Sequence, residues 1–115
     1  MAITIGLCDD DEEQLHLLRS YLRTAMDETA YSIVASTQPR EFLRKIGDTP
    51  PQLVFLDIDM AALDGIRLGD RIKALSEKTV LIYITAHEQY ALEAYRVRAF
   101  HYLLKPLSKE AFAAA

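Results

Sequence analysis

The sequence of 115 residues predicts an α/β domain, a parallel sheet covered by helices on both faces. Two observations carry that prediction. Short runs rich in β-branched and aromatic residues (Ile3–Cys8, Tyr31–Ser36, Leu53–Leu56, Val80–Ile84 and Phe100–Leu104) alternate five times with longer segments of helical spacing. The third and fourth runs are also apolar without alternation, as in a strand buried on both faces.

The first strand runs directly into Asp9, Asp10, Asp11, Glu12 and Glu13. In the helix that follows, Leu15, Leu18, Leu22 and Met26 recur at three- and four-residue steps and share one face. Pro50 and Pro51 close the loop before the third strand, since neither continues a helix. Asp64 is placed to cap the third helix, on which Gly69, Ile72 and Leu75 are expected to form the inward face. Ala91, Ala94 and Tyr95 mark a fourth helix, and Ser108 is a cap for a fifth. That fifth helix has only Glu110, Ala111, Phe112 and three alanines after its first residue, so the last helix is expected to be short or truncated, truncation being favoured. With no linker, internal repeat or low-complexity tract beyond the final alanines, residues 1–115 read as a single domain.

Composition narrows the function. Seventeen acidic residues against thirteen Lys and Arg give a formal net charge of −4, which argues against capture of nucleic acid or an anionic membrane by this domain. A lone cysteine, Cys8, excludes an internal disulfide and a cysteine-based zinc site. The amino terminus lacks the basic n-region of a signal peptide, and no apolar run approaches the ~18 residues of a membrane span. The expected setting is cytoplasmic and reducing.

In an open parallel sheet, ligands bind at the carboxyl ends of the strands around the reversal of strand order. There the first strand ends in Asp9 and Asp10, the third in Asp57, the fourth in Thr85 and the fifth in Lys105. Three carboxylates in one small site repel one another, so at least one should have a raised pKa in the absence of a cation. Mg²⁺ suits such a site, being hard, oxygen-liganded and commonly bound by one or two carboxylates plus phosphate oxygens. With charge so screened, Asp57 can approach phosphorus as a nucleophile and form an aspartyl-phosphate. Lys105 would act as a point charge on a phosphoryl oxygen and Thr85 would donate its hydroxyl to another.

Taken singly, each residue has an ordinary reading. The acid run Asp9–Glu13 caps a helix or faces solvent; Lys105 is a solvated loop lysine, Thr85 a strand residue and Tyr102 part of the core. Asp57 is the exception, since an acid at the end of a buried strand needs a partner or a purpose. Their joint placement, one group per strand end, favours the functional reading.

With these motifs in place, the sequence resembles the receiver domain of bacterial two-component response regulators from Ile3 to about Phe112. The resemblance rests on Cys8-Asp9-Asp10-Asp11, Val54-Phe55-Leu56-Asp57-Ile58-Asp59-Met60, Leu63-Asp64-Gly65, Ile84-Thr85-Ala86 and Leu104-Lys105-Pro106. It implies a flavodoxin-like, doubly wound, five-stranded parallel sheet of strand order 2-1-3-4-5. It implies that Asp57 accepts phosphate from a sensor histidine kinase, and that Asp10, Asp57, Asp9 through water and the backbone carbonyl of Asp59 hold Mg²⁺. Thr85 and Tyr102 correspond to a switch pair that repacks the face formed by the fourth helix, fifth strand and fifth helix. Such a domain is a phosphoacceptor with self-phosphorylation and autodephosphorylation chemistry, not a turnover enzyme.

A narrower resemblance, carried by Thr85–Tyr95 and Ala99–Pro106, is to regulators whose output is a LytTR-type DNA-binding domain. It implies transcriptional control, with DNA reached only through an output domain absent from this chain. Tyr90, Tyr95, Val97 and Phe100, with Arg96 and Arg98, offer an aromatic and basic surface for a homodimer on the helix 4–strand 5–helix 5 face.

Two departures stand out. Ala61-Ala62 replaces the family's usual Pro-Gly, which should loosen the loop beside the pocket. Asp59 adds a fourth acid near the metal and is expected to tighten its binding or alter hydrolysis. Two other readings compete: Asp57-Ile58-Asp59 also resembles the nucleophile motif of haloacid-dehalogenase-like phosphatases, though after the wrong strand, and a receiver fold can serve as a phosphorylation-independent docking module. Cys8, beside acids, should be an inert thiol. His16 is expected half-exposed on its helix, His87 on the surface and His101 toward the output face.

Overall fold

The computed structural model describes residues 3–47, 49–57, 65–85 and 101–105. Five strands, β1 (Ile3–Cys8), β2 (Tyr31–Ser36), β3 (Leu53–Asp57), β4 (Val80–Thr85) and β5 (His101–Leu104), form one parallel sheet in the order β2-β1-β3-β4-β5. Among the described residues three α-helices lie between them, α1 (Glu12–Ala25), α2 (Pro39–Ile46) and α3 (Gly65–Leu75), with a short 3-10 turn at Glu28–Ala30. The chain steps outward from β1 to β2, then crosses back to β3 on the other side of β1. The reversal therefore falls between β1 and β3.

The non-alternating strands are explained by what covers them. Leu15, Leu18 and Leu22 of α1 pack against Ile5, Leu7, Phe55, Ile82 and Ile84 on one face. Phe42 and Ile46 of α2, with Leu68 and Ile72 of α3, pack against Cys8, Val54, Leu56, Leu81 and Tyr83 on the other. Successive residues such as Phe55 and Leu56 enter opposite cores, so both must be apolar. Backbone approach is closest at Gly69, where an added Cβ would collide with the buried Tyr83 hydroxyl. Gly47 ends α2 at φ +56°, a conformation that costs glycine little.

The structure adjusts the sequence expectations in three places. β3 and β4 each run one residue further than the apolar pattern indicates, so Asp57 and Thr85 belong to the ladder, with Asp57 registered against Ile84. Pairing with neighbouring strands holds these polar residues in place despite their side-chain chemistry. Leu75 is half exposed (50%) and does not join the inward face of α3. Two three-residue steps rotate it about 120° from Gly69 on a helix of 3.6 residues per turn, and Leu68 takes the inward position. The expected fourth and fifth helices, the Asp64 cap of the third helix and the Ser108 cap of the fifth lie outside the described residues, as do Asp59, His87, the Ala61-Ala62 loop and the Tyr90–Phe100 surface. Among the described residues no helix is long and apolar enough to cross a membrane.

Candidate functional site

The carboxyl ends of four adjacent strands build the site. β1 delivers Asp9 and Asp10, β3 ends in Asp57, β4 ends in Thr85, and Lys105 follows β5. Two ladder bonds beyond the strand ends fix the positions. The Asp9 amide donates to the Ser36 carbonyl at 3.4 Å, extending the β1–β2 pairing, and the Lys105 amide donates to the Thr85 carbonyl at 2.7 Å, extending β4–β5. Lys105 is thereby held across the mouth of the acidic cluster by backbone rather than by its flexible stem.

The acid run divides into separate tasks. Asp9 is buried (2% exposed) and its Oδ1 accepts from the Asp11 amide at 2.9 Å. Asp10 is exposed. Asp11 caps α1, its Oδ1 accepting from the Glu13 amide at 3.0 Å. With Asp11 as cap, Glu12 and Glu13 fall in the first turn, where the helix dipole favours acids. So the capping reading is right for Asp11 through Glu13, while Asp9 and Asp10 turn to the site.

Carboxylate oxygens of Asp9, Asp10 and Asp57 all lie within 4.8 Å of one another. Asp57 is buried (5% exposed), and Lys105 Nζ stands 3.0 Å from Asp9 Oδ2 and 3.4 Å from Asp57 Oδ2. Thr85 is fully buried. Burial, reinforced by the charge of Asp57, pushes the Asp9 carboxyl up to about 6, although the Asp11 amide and Lys105 act against the rise. One acid of the cluster is thus raised, as expected, but burial is the main cause and repulsion, from Asp57, the lesser one. Burial works to lower the Lys105 pKa, but the hydrogen bond and charge of Asp9 with the charge of Asp57 outweigh it, and the net shift is upward. Asp9 and Asp57 therefore favour the charged form of Lys105 against the effect of burial. The Cys8 thiol, buried and beside Asp9, Asp57 and Asp10, is pushed up to about 12 and stays protonated, as expected of an inert thiol.

The donor set fits a hard divalent ion. All three ligands are carboxylate oxygens, and their span is comparable to the ~4.2 Å between opposite oxygens around Mg²⁺. Lys105 Nζ, within reach of both Asp9 and Asp57, is the positive group that the structure places against these acids.

The structure thus brings together Asp9, Asp10, Asp57, Thr85 and Lys105. Tyr102 stands in β5 opposite Tyr83, and His101 opposite Ile82, while their side chains lie outside the described residues. Asp59 lies outside the described residues. His16 is exposed on α1. Ser36 was not apparent from the sequence as part of this arrangement. Its carbonyl holds Asp9, while its hydroxyl accepts from the Gln38 amide at 3.0 Å and contacts Glu41 Oε1 at 3.3 Å. Such a role depends on strand register, which leaves no local sequence signal.

Comparison with known proteins agrees with this geometry. The response regulator receiver domain profile matches residues 5–115. An uncharacterized response regulatory protein of Vibrio cholerae is 37% identical over 113 residues, covering 96% of this chain and 42% of that protein. The sensory transduction protein LytT of Enterococcus faecalis is 33% identical over 101 residues, covering 88% and 41%. The chain therefore spans about two-fifths of the length of these relatives. Among solved structures, the response regulatory domain of the protein mrkE from Klebsiella pneumoniae superposes with a TM-score of 0.86 at 26% identity, covering 97% of this chain and 90% of that one. With its strand order, its acidic cluster at the strand ends and these relatives, the chain belongs to the response regulator receiver domain family, and its resemblances include LytT-type regulators.

Proposed function

We propose that the chain is a phosphoryl-accepting receiver in which Asp57 takes phosphate from a sensor histidine kinase with Mg²⁺ as cofactor. The observation that carries this reading is the convergence of Asp9, Asp10 and Asp57 within 4.8 Å beneath the ammonium of Lys105. Asp9, Asp10 and Asp57, with the backbone carbonyl of Asp59, would hold the ion. When bound, Mg²⁺ supplies the positive charge that lets a carboxylate and phosphoryl oxygens approach.

A carboxylate oxygen of Asp57 attacks phosphorus. The new oxygen–phosphorus bond forms as the bond to the donor breaks, and the donor's leaving atom takes up a proton. Lys105, anchored by its backbone to Thr85, meets the negative charge developing on the phosphoryl oxygens without reorganising. The hydroxyl of Thr85 donates to a phosphoryl oxygen, and Tyr102 responds as the second member of the switch pair. The product is a modified protein that reverts by autodephosphorylation rather than a cycle of turnover, so the chain acts as a switch and not as an enzyme.

Its output follows from the similarity to LytT-type regulators: the receiver, as a single domain over residues 1–115, controls a LytTR-type DNA-binding domain in the cytoplasm. Phosphorylation would change a homodimer face on the helix 4–strand 5–helix 5 side. The test is incubation with Mg²⁺ and a small phosphodonor, followed by intact mass on wild type and Asp57→Asn. One acid-labile phosphoryl group on wild type and none on the variant is the expected result. An adduct retained by Asp57→Asn, or sustained hydrolysis of a small phosphomonoester, would overturn the reading.

A further inference from the structure

A second feature lies away from the acidic cluster, at the amino-terminal half of β2. There α1 and the outer edge of the sheet enclose a groove of about 480 Å³ lined by His16, Arg19, Arg23, Glu28, Tyr31, Ser32 and Ile33. His16, Arg19 and Arg23 are separated by three and four residues, so they stand in one row on α1, and all three are exposed. Among the described residues neither guanidinium is in an ion pair. On a chain of formal charge −4, this groove carries two arginines against one carboxylate.

The floor of the groove is an open strand edge. In a parallel strand, successive residues direct their backbone N–H and C=O to opposite sides. The Ser36 carbonyl bonds toward β1, accepting from Asp9, so Val34 and Ser32 face β1 as well, and Ala35, Ile33 and Tyr31 face outward. The outward Ala35 carbonyl is blocked by Lys45 Nζ at 2.8 Å, and that lysine is held by Glu41 at 3.3 Å. A lysine over a sheet edge prevents strand addition there. No such cover is found among the described residues at Tyr31 and Ile33, where the basic groove begins.

We propose that this groove binds an acidic extended polypeptide segment, which adds to β2 as a further strand and sets its carboxylates against Arg19 and Arg23. The open backbone edge selects a polypeptide over a nucleic acid or a free anion, because only a polypeptide satisfies alternate N–H and C=O groups along a strand. The arginine row supplies the charge preference. The groove shares no lining residue with the acidic cluster.

The test uses the whole chain and a labelled short peptide alternating Glu and Thr, with its Lys–Thr counterpart and a version N-methylated on alternate amides. Expected are saturable binding of the Glu–Thr peptide, hydrogen-exchange protection confined to the Tyr31 and Ile33 amides, and loss of binding on N-methylation. Arg19→Glu with Arg23→Glu should weaken that peptide by about tenfold and favour the Lys–Thr peptide instead; such a change equals about 1.4 kcal/mol. Both positions are exposed, so the fold tolerates the exchange. Equal binding of the two peptides by wild type, indifference to N-methylation, or complete displacement by inorganic phosphate would overturn the proposal.

Discussion

Lys105 Nζ and Asp9 Oδ2 lie 3.0 Å apart, joining the end of β5 to the end of β1 across the two strands between them. Asp9 is almost fully buried, whereas Lys105 keeps 22% of its side chain exposed. The pair therefore works asymmetrically: the lysine reaches in from the rim and offsets part of the cost of a carboxylate that has no access to water.

Removing that ammonium should cost stability in a pH-dependent way. In Lys105→Ala, Asp9 loses the two lysine interactions that hold its pKa down, so the carboxyl rises further. A protonated Asp9 misses the lysine less. Urea unfolding should show a larger loss at pH 8 than at pH 5, the difference being on the order of 1–2 kcal/mol. Equal losses at the two pH values would mean that the pair contributes nothing electrostatically.

Metal-free stability should also fall as pH rises through the acid range because of Asp9. Its folded pKa of about 6 lies above the ordinary aspartate value of 3.8, so between those values the folded state binds more protons than the unfolded state. Stability contributed by protonated Asp9 is present below pH 3.8 and is lost as pH climbs to about 6, by roughly 2–3 kcal/mol. Wild type minus Asp9→Asn isolates this contribution from other carboxylates. In chelator the difference should slope downward with pH, and saturating Mg²⁺ should remove the slope.

The neighbouring acids should separate by function. Asp11→Ala removes the cap of α1 and is expected to lower stability by about 0.5–2 kcal/mol while leaving Mg²⁺ affinity intact. Asp10→Ala, at an exposed position, should do the reverse. Thermal melts and Mg²⁺ titration of both variants measure the contrast.

Packing of α3 on β4 yields a coupled prediction. Gly69→Ala places a methyl group where the Tyr83 hydroxyl sits and should destabilise by about 1–3 kcal/mol. Tyr83→Phe vacates that space at the expense of the hydroxyl's own interaction. The double variant should therefore be less destabilised than the two single changes added together, as read from a double-mutant cycle.

Legibility differed from element to element. The runs at Leu53–Leu56 and Val80–Ile84 announced buried strands because both faces of a covered sheet demand apolar residues. α1 was equally plain from Leu15, Leu18 and Leu22. Leu75 misled because a three-residue repeat drifts around a helix, while the true inward row passes through Leu68 and Ile72. At the site, Asp57 and Lys105 were legible as polar residues ending apolar strands. The Ser36 carbonyl and the groove at Arg19 and Arg23 were not, since each depends on elements far apart in sequence.

By itself, then, the sequence determined the parallel α/β layout and which residues stand at the strand ends, because hydrophobic periodicity and strand termination are local properties of the chain. Only the tertiary structure decided the work of each acid in the run: Asp9 buried against Lys105, Asp10 exposed at the cluster, Asp11 bonded to the Glu13 amide. Adjacent carboxylates of identical chemistry are told apart by direction alone, and direction is set by register against β2 and by the first turn of α1.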